Sequence, residues 1–230
     1  MNSLTSHSAR TPHVFGSSAP RRSTAGGAPH DGAAEPGVGV LAVLAMTVAS
    51  MPLLAPKLPG NGAPVDLLMA GSIFVVFVWA LRTKATLRVP YAVPTTALMV
   101  VGLASALLSV LPAAGFVAVV QEIFLLCWCA AVATLCRSPR ALKVVLRTWA
   151  ISATAWATLL IGVVATGLGG VLAATNGGGI RYRLLFDHPN MAGNFFVIAM
   201  FVVLASGYPG RRLFRFAAYG LLLGGTLLTG

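Results

Sequence analysis

The polarity pattern along this chain is a series of long apolar runs separated by short polar segments rich in glycine, proline and basic residues. The first run spans Val38 to Ala55 and stops at Pro56, and the second spans Pro64 to Leu81. The third, Tyr91 to Leu111, is joined to the fourth, Ala113 to Cys136, by a tight turn at Pro112. The fifth covers Val144 to Gly167, the sixth Asn190 to Gly207, and the seventh starts near Phe216. A helix needs about 20 apolar residues to cross a bilayer, with a range of roughly 17–25, and each of the first six runs reaches that length. The pattern predicts an all-α polytopic membrane protein with six complete transmembrane helices and a seventh cut short. From Phe216 to Gly230 the seventh run rises only about 22 Å at 1.5 Å per residue, against a hydrocarbon core of about 30 Å. The expectation is therefore an N-terminal piece of a longer membrane protein.

Residues Met1 to Gly37 lack a periodic apolar face and are rich in Ser, Pro, Gly, Ala and His, which predicts a disordered cytoplasmic tail. Arg21-Arg22 lacks the apolar stretch of a twin-arginine signal. The six runs after the first make it an uncleaved helix instead of a signal peptide.

Composition sharpens this picture. Of 230 residues 57% are hydrophobic and only 9% charged, far from the roughly 25% charged residues of a soluble domain. The net charge of +11 raises the question of nucleic acid, but the basic residues sit in short clusters between apolar runs, not in a stripe interleaved with aromatics. No nucleic-acid partner is expected. The charge instead reads as topology. Alternate connections hold Arg10, Arg21, Arg22, Arg82, Lys84, Arg88, Arg137, Arg140, Lys143, Arg147, Arg211, Arg212 and Arg215, whereas the others hold only Lys57, Arg181 and Arg183. By the positive-inside rule the N-terminus is inside, and the connection from Leu168 to Pro189 faces out. A bacterial cytoplasmic membrane, with its lipids as neighbours, is the expected location.

Candidate chemistry is sparse. Cys127, Cys129 and Cys136 fall in one apolar run with no histidine at ligand spacing, so they read as small helix residues and no metal is expected. Asp66, at an outer interface, suits a helix cap. Glu122 lies about 13 Å into the fourth run, counted from Ala113. An acid at such depth is a functional candidate, lining a cavity, or else a hydrogen-bonded carboxyl that packs helices. Its conceivable partners are Arg181 or Arg183, if the outer connection folds inward.

The outer connection reads Gly177-Gly178-Gly179-Ile180-Arg181-Tyr182-Arg183, then Leu184-Leu185-Phe186-Asp187-His188-Pro189-Asn190. Pro189 suits the first turn of a helix, with Asp187 or His188 as its cap. A helix start beside Arg181 and Arg183 can hold a phosphate or pyrophosphate, although interfacial arginines also contact lipid headgroups. The glycine run is not a nucleotide-binding loop, since no Gly-Lys-Ser/Thr follows. Asn190 and Asn194 share one helix face, where amides either line a cavity or join helices. Gly220 and Gly224 have the small-xxx-small spacing of helix packing.

The stretch from Arg183 to Gly193, with its arginine, its aromatic and its Pro-Asn pair opening a helix, resembles the start of the shared domain of the O-antigen ligase and O-antigen polymerase superfamily. The basic turn Gly210-Arg211-Arg212 and the Leu-rich run ending in Leu227-Leu228-Thr229-Gly230 follow in the order of that family, whose helix ends in a Leu-Thr-Gly-Ser-Arg-like signature. The resemblance covers roughly 178–230 and divides the chain into a tail at 1–37, helices and the start of the outer connection at 38–177, and the opening of the ligase-like domain at 178–230. It implies a glycosyltransferase of cell-surface polysaccharide biosynthesis. The donor is an undecaprenyl-pyrophosphate-linked glycan, the acceptor is a lipid or glycan, and no nucleotide sugar, metal or other cofactor is used. It implies that Arg181 and Arg183, the latter the better positional match, neutralise the departing pyrophosphate. The catalytic base is attributed in that family to a later outer loop that this chain does not include, and His188 is a local candidate. A piece ending here would begin the chemistry without completing it. The alternative is a multi-pass transporter for an anion or a lipid-linked sugar, with Glu122, Asn190 and Asn194 along the path. A further reading is a non-catalytic membrane scaffold.

The topology is open to test: a reporter enzyme fused at Gly178 reads as extracytoplasmic, and a cytoplasmic signal there overturns the orientation.

Overall fold

Seven helices and one two-stranded hairpin make up the computed structural model, which describes residues 35–54, 63–168, 173–176, 179–186 and 188–229. Most of the tail expected at 1–37, and Asp187, Gly177, Gly178 and Gly230, lie outside the described residues. The elements are α1 (Val38–Ala49), α2 (Pro64–Thr83), α3 (Ala92–Leu107), α4 (Pro112–Leu135), α5 (Pro139–Ala165), β1 (Ala173–Asn176), β2 (Gly179–Tyr182), α6 (Pro189–Ser206) and α7 (Arg212–Thr229). The chain is thus a predominantly helical, multi-pass membrane protein.

Proline sets most of the boundaries. Pro64, Pro112, Pro139 and Pro189 each open a helix, where the missing N–H costs nothing. Asp66 closes the start of α2 by accepting from the Ala63 N–H at 2.6 Å, and the Ser138 hydroxyl accepts from the Ala141 N–H at the start of α5. Several helices differ from the runs. α1 stops at Ala49, six residues before the expected end, because Pro52 would leave the Val48 carbonyl without its helical donor. α3 stops at Leu107 because Leu111, the residue before Pro112, is pushed out of the helical region. α5 begins at Pro139 and not Val144, and α7 at Arg212 and not Phe216. In both cases charged residues excluded from the apolar run still form regular helix, since Lys and Arg are good helix formers. α7 therefore has 18 residues, about 27 Å.

Four helices, α2, α4, α5 and α6, are long and apolar enough to cross a membrane. α1 with 12 residues and α3 with 16 are apolar but shorter, about 18 and 24 Å.

α5 is the hub, packing on α1, α6 and α7. Ala150, Ala153 and Ala157 lie at spacings of three and four and are almost wholly buried, so this face admits neighbouring helices closely. Leu160 of α5, Phe196, Ala199 and Val203 of α6, and Leu222 of α7 fill one core. Gly225 of α7 leaves room for the Phe196 ring and the Ala157 methyl. A second core joins α1, α2, α4 and the first turns of α5 through Leu44, Val48, Val76, Leu135 and Val145. α3 packs on α4, and α4 on α2. The α3–α4 hairpin closes tightly, because a Cβ at Gly115 would lie 2.7 Å from the Ala106 Cβ and 2.8 Å from its Cα.

Gly115→Leu accordingly forces α3 off α4 and costs about 1–3 kcal/mol, read as a lower thermal unfolding midpoint in detergent. Gly71→Leu, where a Cβ meets nothing within 4 Å, leaves the midpoint near that of the parent.

Candidate functional site

The connection between α5 and α6 turns on β1 and β2, paired antiparallel in the register Ala173↔Tyr182 to Asn176↔Gly179. Beyond β2 the chain is pinned by two buried apolar side chains, Leu184 and Phe186. Leu184 takes a left-handed backbone conformation (φ 55°), and the Phe186 N–H donates to the Arg183 carbonyl at 2.9 Å. Phe186 meets Phe195 at 5.4 Å between ring centroids, and Phe195 stacks on Trp149 of α5 at 5.9 Å. These contacts fix the polar residues on either side at the mouth of α6.

His188 takes the cap position of α6, settling the choice that the sequence left open. Its Nδ1 accepts from the Asn190 N–H at 3.2 Å. A neutral imidazole whose Nδ1 accepts carries its proton on Nε2, so His188 can take up a proton through Nδ1 only by leaving the cap.

Arg181 is half-buried and committed to protein. Its Nε and Nη2 donate to the Thr229 carbonyl at 3.1 and 2.9 Å, and Nη2 donates to the Asn190 Oδ1 at 2.8 Å. One guanidinium therefore joins the start of α6 to the Thr229 carbonyl of α7. Arg183, two residues on, is exposed and makes no ion pair or side-chain hydrogen bond to the described residues. Thr229 is fully buried against Gly193, where a Cβ would lie 3.1 Å from the Thr229 hydroxyl. Its role as an arginine acceptor is a backbone property, invisible in a residue pattern.

The other candidates are placed separately. Asn190 and Asn194 are both exposed on α6. Glu122 lies mid-way along α4 and lines a cleft of about 470 Å³ between α3 and α4, with Thr95, Ser105 and Ser109. α4 packs on α2 and α3, whereas α6 packs on α5 and α7. Arg181 turns toward α6 and α7 and not toward Glu122. Among the described residues, no three His, Cys, Asp or Glu side chains gather as a metal-holding group.

Compared with family models, with curated proteins and with solved structures, the chain matches none of them.

At the opposite end of the helices the basic connections meet. The Arg137 guanidinium donates to the Thr86 hydroxyl at 2.8 Å, and the Arg88 N–H donates to the Thr134 hydroxyl at 2.9 Å. Arg140 lies 3.8 Å from Glu35, Arg147 sits over the Tyr208 ring, and Arg215 donates to the carbonyls of Gly207 and Pro209. The segments around Glu35, Thr86, Arg137 and Tyr208 thus share one end, and the hairpin bearing Arg181 lies at the other.

Two arginines two residues apart should behave differently on removal. Arg181→Ala strands the Thr229 carbonyl and the Asn190 amide and lowers stability by about 1–3 kcal/mol. Arg183→Ala stays within about 0.5 kcal/mol. Thermal unfolding of both variants in detergent checks the difference.

Proposed function

We propose that this chain is the N-terminal part of a membrane glycosyltransferase. In this reading it transfers or polymerises glycan from an undecaprenyl-pyrophosphate carrier at the outer face of a bacterial cytoplasmic membrane. α1 and α3, lengthened by their flanking residues, cross the bilayer with α2, α4, α5 and α6, and α7 is the seventh span. The N-terminus and the basic connections face the cytoplasm.

The observation that carries the reading is the exposed charge of Arg183, with no ion pair to the described residues, beside the start of α6. Arg181 donates to the Thr229 carbonyl of α7, but Arg183 has no such partner among the described residues. The first turn of α6 adds the positive end of a helix dipole. Both features favour an anion at the end of the molecule opposite its basic connections. The order of Arg183, Phe186, Pro189 and Asn190, shared with the O-antigen ligase and polymerase superfamily, makes that anion a pyrophosphate.

In the reaction the acceptor hydroxyl oxygen bonds to the anomeric carbon of the donor sugar, and the bond from that carbon to the pyrophosphate oxygen breaks. Negative charge grows on the departing pyrophosphate, and Arg183 stabilises it where it develops. The hydroxyl proton passes to a base; His188 fills that role only when its Nδ1 leaves the cap. Arg181 acts as a positioning residue, since its bonds to Asn190 and Thr229 hold the α6 start in place.

The test uses the polypeptide expressed from its entire reading frame. Arg183→Ala abolishes glycan transfer in an extracytoplasmic assay, with a loss of about 100-fold or more, while Arg211→Ala retains activity. Equal activity of the two variants removes the pyrophosphate role.

A further inference from the structure

A second cationic site lies at the other end of the molecule, where α5 begins and α6 ends. A groove of about 400 Å³ is lined there by Lys143, Arg147, Leu142, Leu146, Ser206 and Tyr208. Lys143 and Arg147 are one turn apart on the same face of α5, and Arg140 precedes Lys143 by three residues. Like charges at this spacing repel. Arg140 has Glu35 beside it. Lys143 and Arg147 are both exposed and have no acidic partner among the described residues. The whole chain has only five acidic residues, of which two, Asp66 and Glu122, lie in α2 and α4. The Arg147 guanidinium is held 5.4 Å over the Tyr208 ring, a contact that fixes it at the groove without neutralising it.

We propose that this groove binds the phosphate of an anionic phospholipid from the leaflet at the basic end. The negative charge that two adjacent cations require is not supplied by the described residues. α5 and α6 are both long and apolar enough to cross the membrane, so the groove between their ends opens at the bilayer surface. Its walls have the polarity of a lipid near its headgroup: cations and the Ser206 hydroxyl for the phosphate, Leu142 and Leu146 for the glycerol and upper acyl chains. A free phosphate uses the same cations but gains nothing from the leucines. The site is distinct from the Arg183 end and does not depend on the reading given to it.

The experiment measures retention of phosphatidylglycerol, against phosphatidylcholine of matched acyl chains, on the full chain in mild detergent by native mass spectrometry. The expected result is preferential phosphatidylglycerol binding that weakens roughly 30-fold in K143Q/R147Q, since each cation near an anionic lipid surface contributes about a factor of five. K143R/R147K retains the preference, and R82Q/K84Q, which removes two charges from another connection of the same end, leaves it unchanged. Equal losses in R82Q/K84Q and K143Q/R147Q show diffuse attraction and overturn the site, as does equal binding of the two lipids to the parent. Displacement of the lipid by millimolar inorganic phosphate assigns the groove to free phosphate and overturns the lipid assignment. Should K143Q/R147Q fail to fold, a photoactivatable phosphatidylglycerol crosslinked to the parent chain decides the matter. Labels concentrated on the peptides around Lys143 and Tyr208 support the site, and labels spread over all basic connections overturn it.

Discussion

In a bilayer core every backbone carbonyl needs a partner from the protein, and the early end of α1 makes that demand acute. Pro52 halts the helix after 12 residues and leaves the Ala49 carbonyl without a helical donor. α5 supplies two: the Ser152 hydroxyl at 2.8 Å and the Trp156 indole N–H at 3.3 Å. Thr47, buried two residues earlier, divides its hydroxyl between Val43 of its own helix and the Leu68 carbonyl of α2. These bonds tie the short helix to both neighbours. They also make α5 the element on which α1, α6 and α7 all pack, with Ser152 and Trp156 bonded to α1 and Ala150, Ala153 and Ala157 in the core shared with α6.

The same accounting operates at α7. Arg181 reaches the Thr229 carbonyl from β2 and is itself oriented by Asn190. A residue that looks from sequence like one half of an anion site also joins two helices, and its neighbour Arg183 has no side-chain bond to the described residues. The distribution of charge follows. One end of the molecule concentrates arginines bound to carbonyls, hydroxyls and, for Arg147, an aromatic ring, while Lys143 and Arg147 have no acidic partner among the described residues; the other holds few cations, and Arg183 there has no ion pair to the described residues. Both positions are the ones proposed to hold phosphate, the first at the surface of a leaflet and the second at the start of a helix.

The sequence by itself determined the helical class, the order of the helices and the segregation of charge, but not the β1–β2 hairpin between α5 and α6. Each rests on local physics: apolar run length against bilayer thickness, proline at helix starts, and Lys and Arg concentrated in alternate connections. Four of the runs became helices long enough to span. The places where run and helix differ, at Pro52, Leu111, Arg140 and Arg212, are those where apolar character and helix-forming ability part company. Proline is compatible with an apolar run but breaks a helix, and arginine does the reverse. Asp66 was legible as a cap because its partner is three residues away.

Only the tertiary structure decided which candidates meet. Glu122 went to the α3–α4 cleft, Arg181 to Thr229, and His188 to the cap of α6 through the Asn190 N–H. No spacing rule reports a bond such as Arg181 to Thr229, 48 positions apart, because its acceptor is a carbonyl that every residue carries. Whether a given carbonyl is free depends on where its helix ends and what is packed over it. That choice separated Arg181 from Arg183, two cations that lie two residues apart in the sequence and differ in their surroundings.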